Sequence, residues 1–271
     1  MQEKRKKFWI IFSIVVVSIV SICFIFGMVT KLNAVNIEFR QRLSSGSRLE
    51  ENIIEKVKAD AEFEYNQSLL FLNIDENISK IEKKNPYVKV EQVVRDFPNN
   101  MNIYISERTP VFYIEKSGYY FVLDKEFKIL DKILIDEEGT DYLKQNFLRN
   151  VYEINSDLEI EQLNAGDFIE KNENLKLHKN IYLGIVGALE SVSNVKSVKI
   201  SGEDVLITMK QDNLSFDDGV KIKIKGTDEL IEKTFTAIEF FEKIDKTKNT
   251  QVIEVEKIEG TNRYRAYIIN E

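Results

Sequence analysis

The sequence FWIIFSIVVVSIVSICFIFGMVT occupies residues 8–30 and contains no charged side chain. As an α-helix, about 22 residues reach about 33 Å at ~1.5 Å per residue, enough to cross a hydrocarbon core of about 30 Å. A helix also satisfies its own backbone hydrogen bonds, which hydrocarbon cannot do. Residues 8–30 are therefore predicted to form a transmembrane helix, which makes the lipid bilayer the first expected partner of the chain.

The residues on either side of this stretch predict its orientation. Residues 1–7 include four basic side chains: Lys4, Arg5, Lys6 and Lys7. By the positive-inside rule this tail is expected in the cytoplasm, with everything after Lys31 outside the plasma membrane and Trp9 at an interface. The alternative is a cleaved signal peptide, whose apolar region normally spans about 7–15 residues before a small-x-small site. The longer run found here favours a retained anchor.

Composition restricts the function of the part that follows the anchor. Some 240 residues remain, enough for two modest domains. Residues 1–7 carry four basic and one acidic side chain, so the rest of the chain carries 34 basic and 44 acidic ones, a net charge of −10. Since no basic excess is available to neutralise phosphates, binding of nucleic acid or of anionic lipid by these domains is not expected.

Cysteine and histidine are nearly absent from the sequence. The single cysteine, Cys23, lies inside the anchor, and the single histidine is His178. An intrachain disulfide, thiol catalysis and a cysteine or multi-histidine metal site outside the membrane are thereby excluded. We expect no metal, no cofactor and no small-molecule substrate, and we expect His178 to be an ordinary surface residue.

The first domain is predicted over residues 34–108 with the element order β-α-α-β-β. Val35, Ile37 and Phe39 alternate with polar residues, as in a strand with one buried face. Ser47 and Glu50 have capping-box spacing, so a short amphipathic helix is expected to start there. The apolar residues of this helix recur every four positions, at Leu49, Ile53 and Val57. A second helix, ended by Asn85-Pro86, has apolar residues three or four positions apart, at Ile74, Ile78 and Ile81.

The remaining elements of this domain are two strands. Residues 87–95 are predicted as a strand with an irregularity near Glu91-Gln92, which indicates a bulge. Phe97-Pro98-Asn99-Asn100 forms a turn, and a returning strand alternates through Met101, Ile103 and Ile105.

Residues 109–271 have a different sequence pattern, which predicts short strands and two helices. Strands 111–115 and 119–123 flank Lys116-Ser117-Gly118 and predict a hairpin. Residues 136–141 are expected to form an acidic loop, residues 173–193 a helix, and the segment after Gly226 a second, capped helix. The fold class predicted for the chain is α+β: one transmembrane helix, a β-α-α-β-β domain, and a mixed α/β, β-rich domain with a mainly antiparallel sheet.

The sequence between Pro86 and Val111 resembles a known family. The runs Pro86-Tyr87-Val88, Val93-x-Arg95-x-Phe97-Pro98-Asn99 and Met101-x-Ile103-x-Ile105-x-Glu107-Arg108-x-Pro110-Val111 resemble the POTRA domain of FtsQ/DivIB proteins. Tyr87 stands where tryptophan is usual, and Phe112 where a small residue is common. The motif positions are Pro86, Arg95, Phe97, Pro98, Glu107, Arg108 and Pro110.

The resemblance implies a bacterial, bitopic cell-division protein at the division septum. Such proteins bind the single-pass partners FtsL and FtsB/DivIC, and this complex regulates the septal peptidoglycan synthase; the family itself performs no chemistry. The alternative that we considered is a POTRA-bearing transport or chaperone component outside the cytoplasm. A barrel-forming version of that alternative would need many lipid-facing strands, which the sequence does not supply.

The last predicted strand, residues 264–269, is the candidate partner-binding element. It carries side chains of types that anchor interfaces: Tyr264, Arg265, Tyr267 and Ile269. By alternation Arg265, Tyr267 and Ile269 share one face, and Tyr264 lies on the other. The alternative is that these are ordinary side chains of an edge strand.

Two short motifs resemble those of penicillin-binding enzymes. Ser193 and Lys196 have S-x-x-K spacing, and Lys116-Ser117-Gly118 fits K-[ST]-G. In those enzymes the serine motif opens a helix and precedes the K-T-G strand, whereas here the order is reversed and Ser193 is expected near the end of a helix. We therefore predict no catalytic residue. The lysines at 221, 223 and 225 share a strand face that is expected to be solvated; the alternative is contact with an acidic partner or an anionic wall polymer.

Overall fold

The computed structural model describes residues 2–43, 46–155, 158–189, 191–210, 218–244, 251–258, 260–261 and 263–270. The chain divides into two compact units, Met1–Arg108 and Thr109–Glu271. The elements of the first unit are α1 (Gln2–Val29), β1 (Ala34–Gln41), α2 (Ile53–Asp60), α3 (Ile74–Lys84), β2 (Val88–Asp96) and β3 (Asn100–Glu107).

After α1, the first unit has the predicted β-α-α-β-β order. Its three strands form a sheet in the order β1-β3-β2, in which β1 is parallel and β2 antiparallel to the central strand β3. Alternating side chains of β1 and β3 supply much of the core under α2 and α3, including Val35, Met101, Ile103 and Ile105. The pairing of β2 shifts register between Val90 and Gln92, which confirms the predicted bulge.

The first amphipathic helix begins later than its capping box predicted. Leu49, Ile53 and Val57 are buried as expected, but α2 starts at Ile53, and its N-cap residue, Asn52, makes no side-chain cap. Ser47 instead donates its hydroxyl to the Glu107 carboxylate at 2.9 Å. The predicted cap is wrong because the Ser47 oxygen accepts from the Leu49 amide at 3.3 Å in the loop before α2, while its hydroxyl is held by a carboxylate 60 residues away in sequence.

The second helix, α3, has the boundaries that the sequence indicates. The Asn73 side chain accepts from the Glu76 amide at its start, and Asn85 ends it before Pro86. Asn77 is buried on its inner face and donates to the Ala61 carbonyl at 2.7 Å, which links α3 to the end of α2. The buried amide is thus satisfied by backbone, as a polar group in a core requires.

The second unit is built on one large sheet. Its elements are β4 (Pro110–Lys116), β5 (Tyr119–Asp124), β6 (Ile129–Leu134), α4 (Glu137–Asn146), β7 (Tyr152–Ile154), α5 (Glu173–Leu189), β8 (Val195–Ser201), β9 (Asp204–Lys210), β10 (Asp218–Lys225), α6 (Leu230–Lys243), β11 (Gln251–Lys257) and β12 (Tyr264–Asn270). Among the described residues the strand order is β12-β11-β10-β9-β8-β7-β4-β5-β6, and most neighbours are antiparallel. The fold class predicted from the sequence is confirmed.

Helices α5 and α6 pack closely against each other over this sheet. A Cβ placed on Gly184 of α5 would lie 2.6 Å from Cβ of Thr234 and 2.7 Å from the carbonyl of Ile231, both on α6. One turn later the contact is looser, since a Cβ on Gly187 would lie 3.4 Å from the Phe235 ring. Of these two glycines, Gly184 therefore marks the closer approach between the helices.

Three expectations for this unit are wrong. The helix after Gly226 is α6, and its N-cap residue, Glu229, makes no side-chain cap. Residues 136–141 form no loop: Asp136 caps α4 by accepting from the Gly139 amide at 2.7 Å, and Leu143 anchors the helix in a small core. His178 is not on the surface but fully buried in α5, where Nε2 lies 3.1 Å from the Asn155 carbonyl oxygen. The errors at Asp136 and His178 differ in cause, because the Asp136 cap is a local helix-start signal, whereas the burial of His178 depends on tertiary packing.

Candidate functional site

Strand β12 lies at one end of the large sheet, so its outer edge has no strand beside it in the described part of the chain. The amide of Ile258 donates to the carbonyl of Arg263 at 2.9 Å and closes the loop between β11 and β12. Hydrogen-bonded and non-bonded pairs alternate along an antiparallel ladder, and no register shift interrupts this one. Since Ile258 and Arg263 form a hydrogen-bonded pair, the next non-bonded positions on β12 are Tyr264, Ala266 and Ile268. The backbone N–H and C=O groups of these three residues therefore point away from β11.

The side chains of these same three residues lie on the face of β12 that turns towards α6. Tyr264 and Ala266 pack against the large core. The Tyr264 hydroxyl donates to the Glu229 carboxylate, and the ammonium groups of Lys233 and Lys257 lie 5.9 and 5.8 Å from the centre of its ring. Tyr264 therefore fixes β12 to the start of α6 and is less accessible than the sequence suggested.

The opposite face of β12 carries the other three predicted residues, Arg265, Tyr267 and Ile269. Arg265 forms an ion pair with Glu256 of β11, and its guanidinium lies 5.9 Å from the centre of the Tyr267 ring. The structure thus brings three of the four candidates together on one surface, with Tyr264 on the other side as alternation predicts.

A polar ladder crosses this face from strand to strand. The Tyr267 hydroxyl donates to Glu254 of β11 at 2.9 Å, and Glu254 forms an ion pair with Lys225 of β10 at 3.1 Å. The hydrogen bond from Lys225 lowers the pKa of Glu254, and the hydrogen bond to Glu254 raises the pKa of Tyr267. Sequence reasoning missed Glu254 as a member of the site, because its position opposite Tyr267 depends on strand register.

The motif residues at the end of β3 are held inside the first unit. The carboxylate of Glu107 accepts from the amides of Leu43 (3.2 Å) and Arg48 (2.6 Å) in addition to the Ser47 hydroxyl. The side chain of Arg108 is 3% exposed, pairs with Glu82 of α3 at 2.8 Å and donates to the Val88 carbonyl. These two residues fasten the loop before α2 and the end of α3 to the sheet.

The other motif residues occupy turns and strand ends. Arg95 reaches from β2 to the Leu72 carbonyl at 3.4 Å, and a cis peptide joins Phe97 to Pro98 in the turn before β3. Pro86 follows the last residue of α3 and its cap, and Pro110 opens β4 opposite Asp124. Most of the motif is therefore placed to stabilise the fold, whereas the Phe97 side chain is 49% exposed.

The serine and lysine motifs are not arranged as in a penicillin-binding enzyme. Ser117 and Gly118 have positive φ angles in the hairpin turn between β4 and β5, and Ser117 donates to Glu161 at 3.3 Å. Ser193 lies after the end of α5 and accepts from the Ser191 hydroxyl at 3.2 Å. Among the described residues, no group of three or more His, Cys, Asp or Glu side chains is placed to hold a metal ion.

Comparison with known proteins adds two findings. The family model described as "POTRA domain, FtsQ-type" matches residues 50–108. A cell division protein DivIB of Clostridium tetani is 26% identical over 209 residues, covering 74% of this chain and 71% of the relative. Residues 50–108 therefore match an FtsQ-type POTRA domain, and most of the chain is similar to DivIB proteins. DivIB of Clostridium acetobutylicum is 28% identical over 110 residues (41% of this chain, 42% of the relative), and DivIB of Clostridium botulinum is 22% identical over 194 residues (72% and 69%).

Similarity to a DivIB cell division protein over 74% of this chain supports a role in cell division. Helix α1 is the one helix in the described part of the chain that is long and apolar enough to cross a membrane, over Lys7–Val29. The protein is therefore a single-pass membrane protein of the division site.

Proposed function

We propose that this protein is a non-enzymatic scaffold of the division machinery that binds FtsL and FtsB/DivIC-type partners and thereby regulates septal peptidoglycan synthesis. Residues 1–7 form the cytoplasmic tail, residues 8–30 the anchor, residues 34–108 the POTRA domain and residues 109–271 the second domain, with both domains outside the cytoplasm. Neither nucleic acid nor a small-molecule substrate takes part.

One observation carries the proposed binding site: the outer edge of β12 presents unpaired backbone groups at Tyr264, Ala266 and Ile268 in the described part of the chain. An exposed edge of this kind is completed when a partner adds a strand to it, and main-chain hydrogen bonds then supply the affinity. The side chains of Arg265, Tyr267 and Ile269 lie beside the edge and would give the contact its specificity. The ion pair of Arg265 and the hydrogen bond of Tyr267 hold these two side chains in place before the partner arrives.

The test separates backbone pairing from side-chain contact at one position. Ile268→Pro removes an outward amide without removing a bond to β11, and proline is tolerated on edge strands. Ile268→Ala is the matched control, because it shortens the side chain but keeps the amide. We expect the DivIC-type partner to copurify with the alanine variant and to be lost with the proline variant.

Two results would contradict the proposed site. Undiminished copurification with Ile268→Pro would show that the outer edge of β12 is not paired by the partner. Undiminished copurification after deletion of residues 262–271 would exclude the whole strand. A fluorescent fusion that is spread evenly over the membrane in normally dividing cells would instead contradict the division role itself.

A further inference from the structure

Exposed apolar side chains of the first unit gather around the exit of the membrane helix. Outside α1, the described residues of this unit contain five large hydrophobic side chains that are exposed: Ile54, Tyr65, Leu70, Phe71 and Phe97. All but Ile54 lie on two loops, residues 65–72 and residues 97–100. Phe71 is the extreme case, with 78% of its surface exposed.

Backbone hydrogen bonds fasten the first of these loops to the residues that follow α1. The Leu69 amide donates to the Thr30 carbonyl at 2.8 Å, and the Leu32 amide donates to the Gln67 carbonyl at 2.8 Å. The hydroxyl groups of Thr30 and Ser68 lie 3.2 Å apart. The loop is therefore fixed at the level where the apolar helix ends.

The second loop is fastened to the same segment. The Asn33 amide donates to the Asn99 carbonyl at 2.8 Å, which holds the turn containing Phe97 beside the first residues after the helix. The two loops thus flank the helix exit, and each carries exposed aromatic side chains. An exposed apolar cluster of this kind marks an interaction surface.

We propose that these two loops rest on the bilayer that α1 crosses, with Leu70, Phe71 and Phe97 inserted in its outer interfacial layer and Tyr65 at its polar edge. The occupant is lipid because the surface is continuous with the membrane-spanning helix. Phe71 follows Leu69 by two residues, so its Cα lies within about 8 Å of the Leu69 Cα. An interfacial layer is about 5–8 Å thick on each side of the hydrocarbon core, and aromatic rings are enriched in it.

Charged neighbours limit how deep the loops can go. Glu64 and Asp96, which are both exposed, flank the cluster and keep its rim in water. The guanidinium of Arg95 donates to the Leu72 carbonyl at 3.4 Å, so a positive charge stands next to the loop at the depth of lipid headgroups. Shallow insertion of the apolar side chains fits this pattern, and deep burial does not.

The test measures the depth of position 71 in the full-length protein. Trp9→Phe removes the single native tryptophan, and Phe71→Trp then reports from the loop, in phosphatidylcholine nanodiscs that contain no other division protein. Lipids carrying a nitroxide near the headgroup, or near the end of the acyl chain, serve as quenchers. Ile54→Trp in the same background is the matched control, since Ile54 is an exposed apolar residue at the start of α2, outside both loops.

The shallow nitroxide is expected to quench the tryptophan at position 71 severalfold more strongly than the tryptophan at position 54, and more strongly than the deep nitroxide does. The emission from position 71 should also be blue-shifted. Iodide in the buffer should quench the two positions in the opposite order. Equal quenching of both tryptophans by the shallow nitroxide would overturn the proposal and leave the cluster to a protein partner. Phe97→Trp provides a second reporter on the other loop, with the same expectation.

Discussion

The buried histidine predicts a specific loss of stability in acid. Nε2 of His178 donates to the Asn155 carbonyl, so Nδ1 carries the lone pair and has no hydrogen-bond partner among the described residues. Protonation would place a charge and an unpaired N–H in the core between α5 and the sheet. Burial therefore lowers the pKa of His178 to about 4, against the counteracting hydrogen bond to Asn155.

The sign and size of the effect follow from linkage. In the unfolded chain histidine titrates near pH ~6.5, so between that value and pH ~4 the unfolded state binds the proton and the folded state does not. The stabilisation that His178 contributes is complete above its pKa in the unfolded chain, and it is lost as the pH falls towards its pKa in the folded protein. With pKa values of 6.5 and about 4, the free energy of unfolding falls by about 2 kcal/mol between pH 7 and pH 5. For a unit of this size that lowers the melting temperature by about 4–8 °C.

Because the chain contains a single histidine, the effect can be assigned without ambiguity. Denaturation of the full-length protein in detergent micelles, followed by circular dichroism at pH 7 and pH 5, measures the loss. His178→Gln is the matched control, since its amide can still donate to Asn155 but does not titrate. The wild type should lose about 2 kcal/mol more than this variant between the two pH values. Equal losses, or an imidazole NMR signal that titrates near pH ~6.5, would refute the reasoning.

Three further changes test the packing described above. Gly184→Ala should cost about 1–3 kcal/mol in a denaturant titration, because its Cβ would lie 2.6 Å from that of Thr234, whereas Gly187→Ala should be neutral or slightly stabilising. Glu107→Ala should cost about 2–4 kcal/mol by removing three hydrogen bonds; the amides that it held should exchange with deuterium much faster, and unchanged exchange would contradict its role. Asp136→Ala should cost about 1 kcal/mol and speed exchange in the first turn of α4 alone.

The sequence predicted the parts of this fold that repeat with a period. Alternation identified β1 and β3, spacing of four identified the buried face of α2, and a break in alternation identified the bulge in β2. On α3 the spacing was correct for Ile81, but the other buried residue is Asn77 and not Ile78. These signals are local, because each depends on residues within one element. They are sufficient for the fold class and for the candidate strand β12.

The sequence could not predict contacts between residues that are far apart along the chain. Ser47 has the spacing of a cap, but Glu107 takes its hydroxyl; His178 stands among polar neighbours, yet it faces the core. The ladder from Lys225 through Glu254 to Tyr267 depends on the register of three strands. The polarity of neighbouring residues in the sequence does not indicate which distant residue a side chain contacts after folding. The contacts of such residues can therefore be read only from the structure.

The parallel pairing of β1 with β3 has a mechanical consequence. A pull on α1 would reach the first unit at the start of β1, and a pull on the second unit would reach it at the end of β3. Since the two strands are neighbours and run the same way, the opposing pulls would slide them past each other and load their hydrogen bonds together, in shear. Such a pull would therefore meet resistance from the whole ladder at once and could not open it bond by bond.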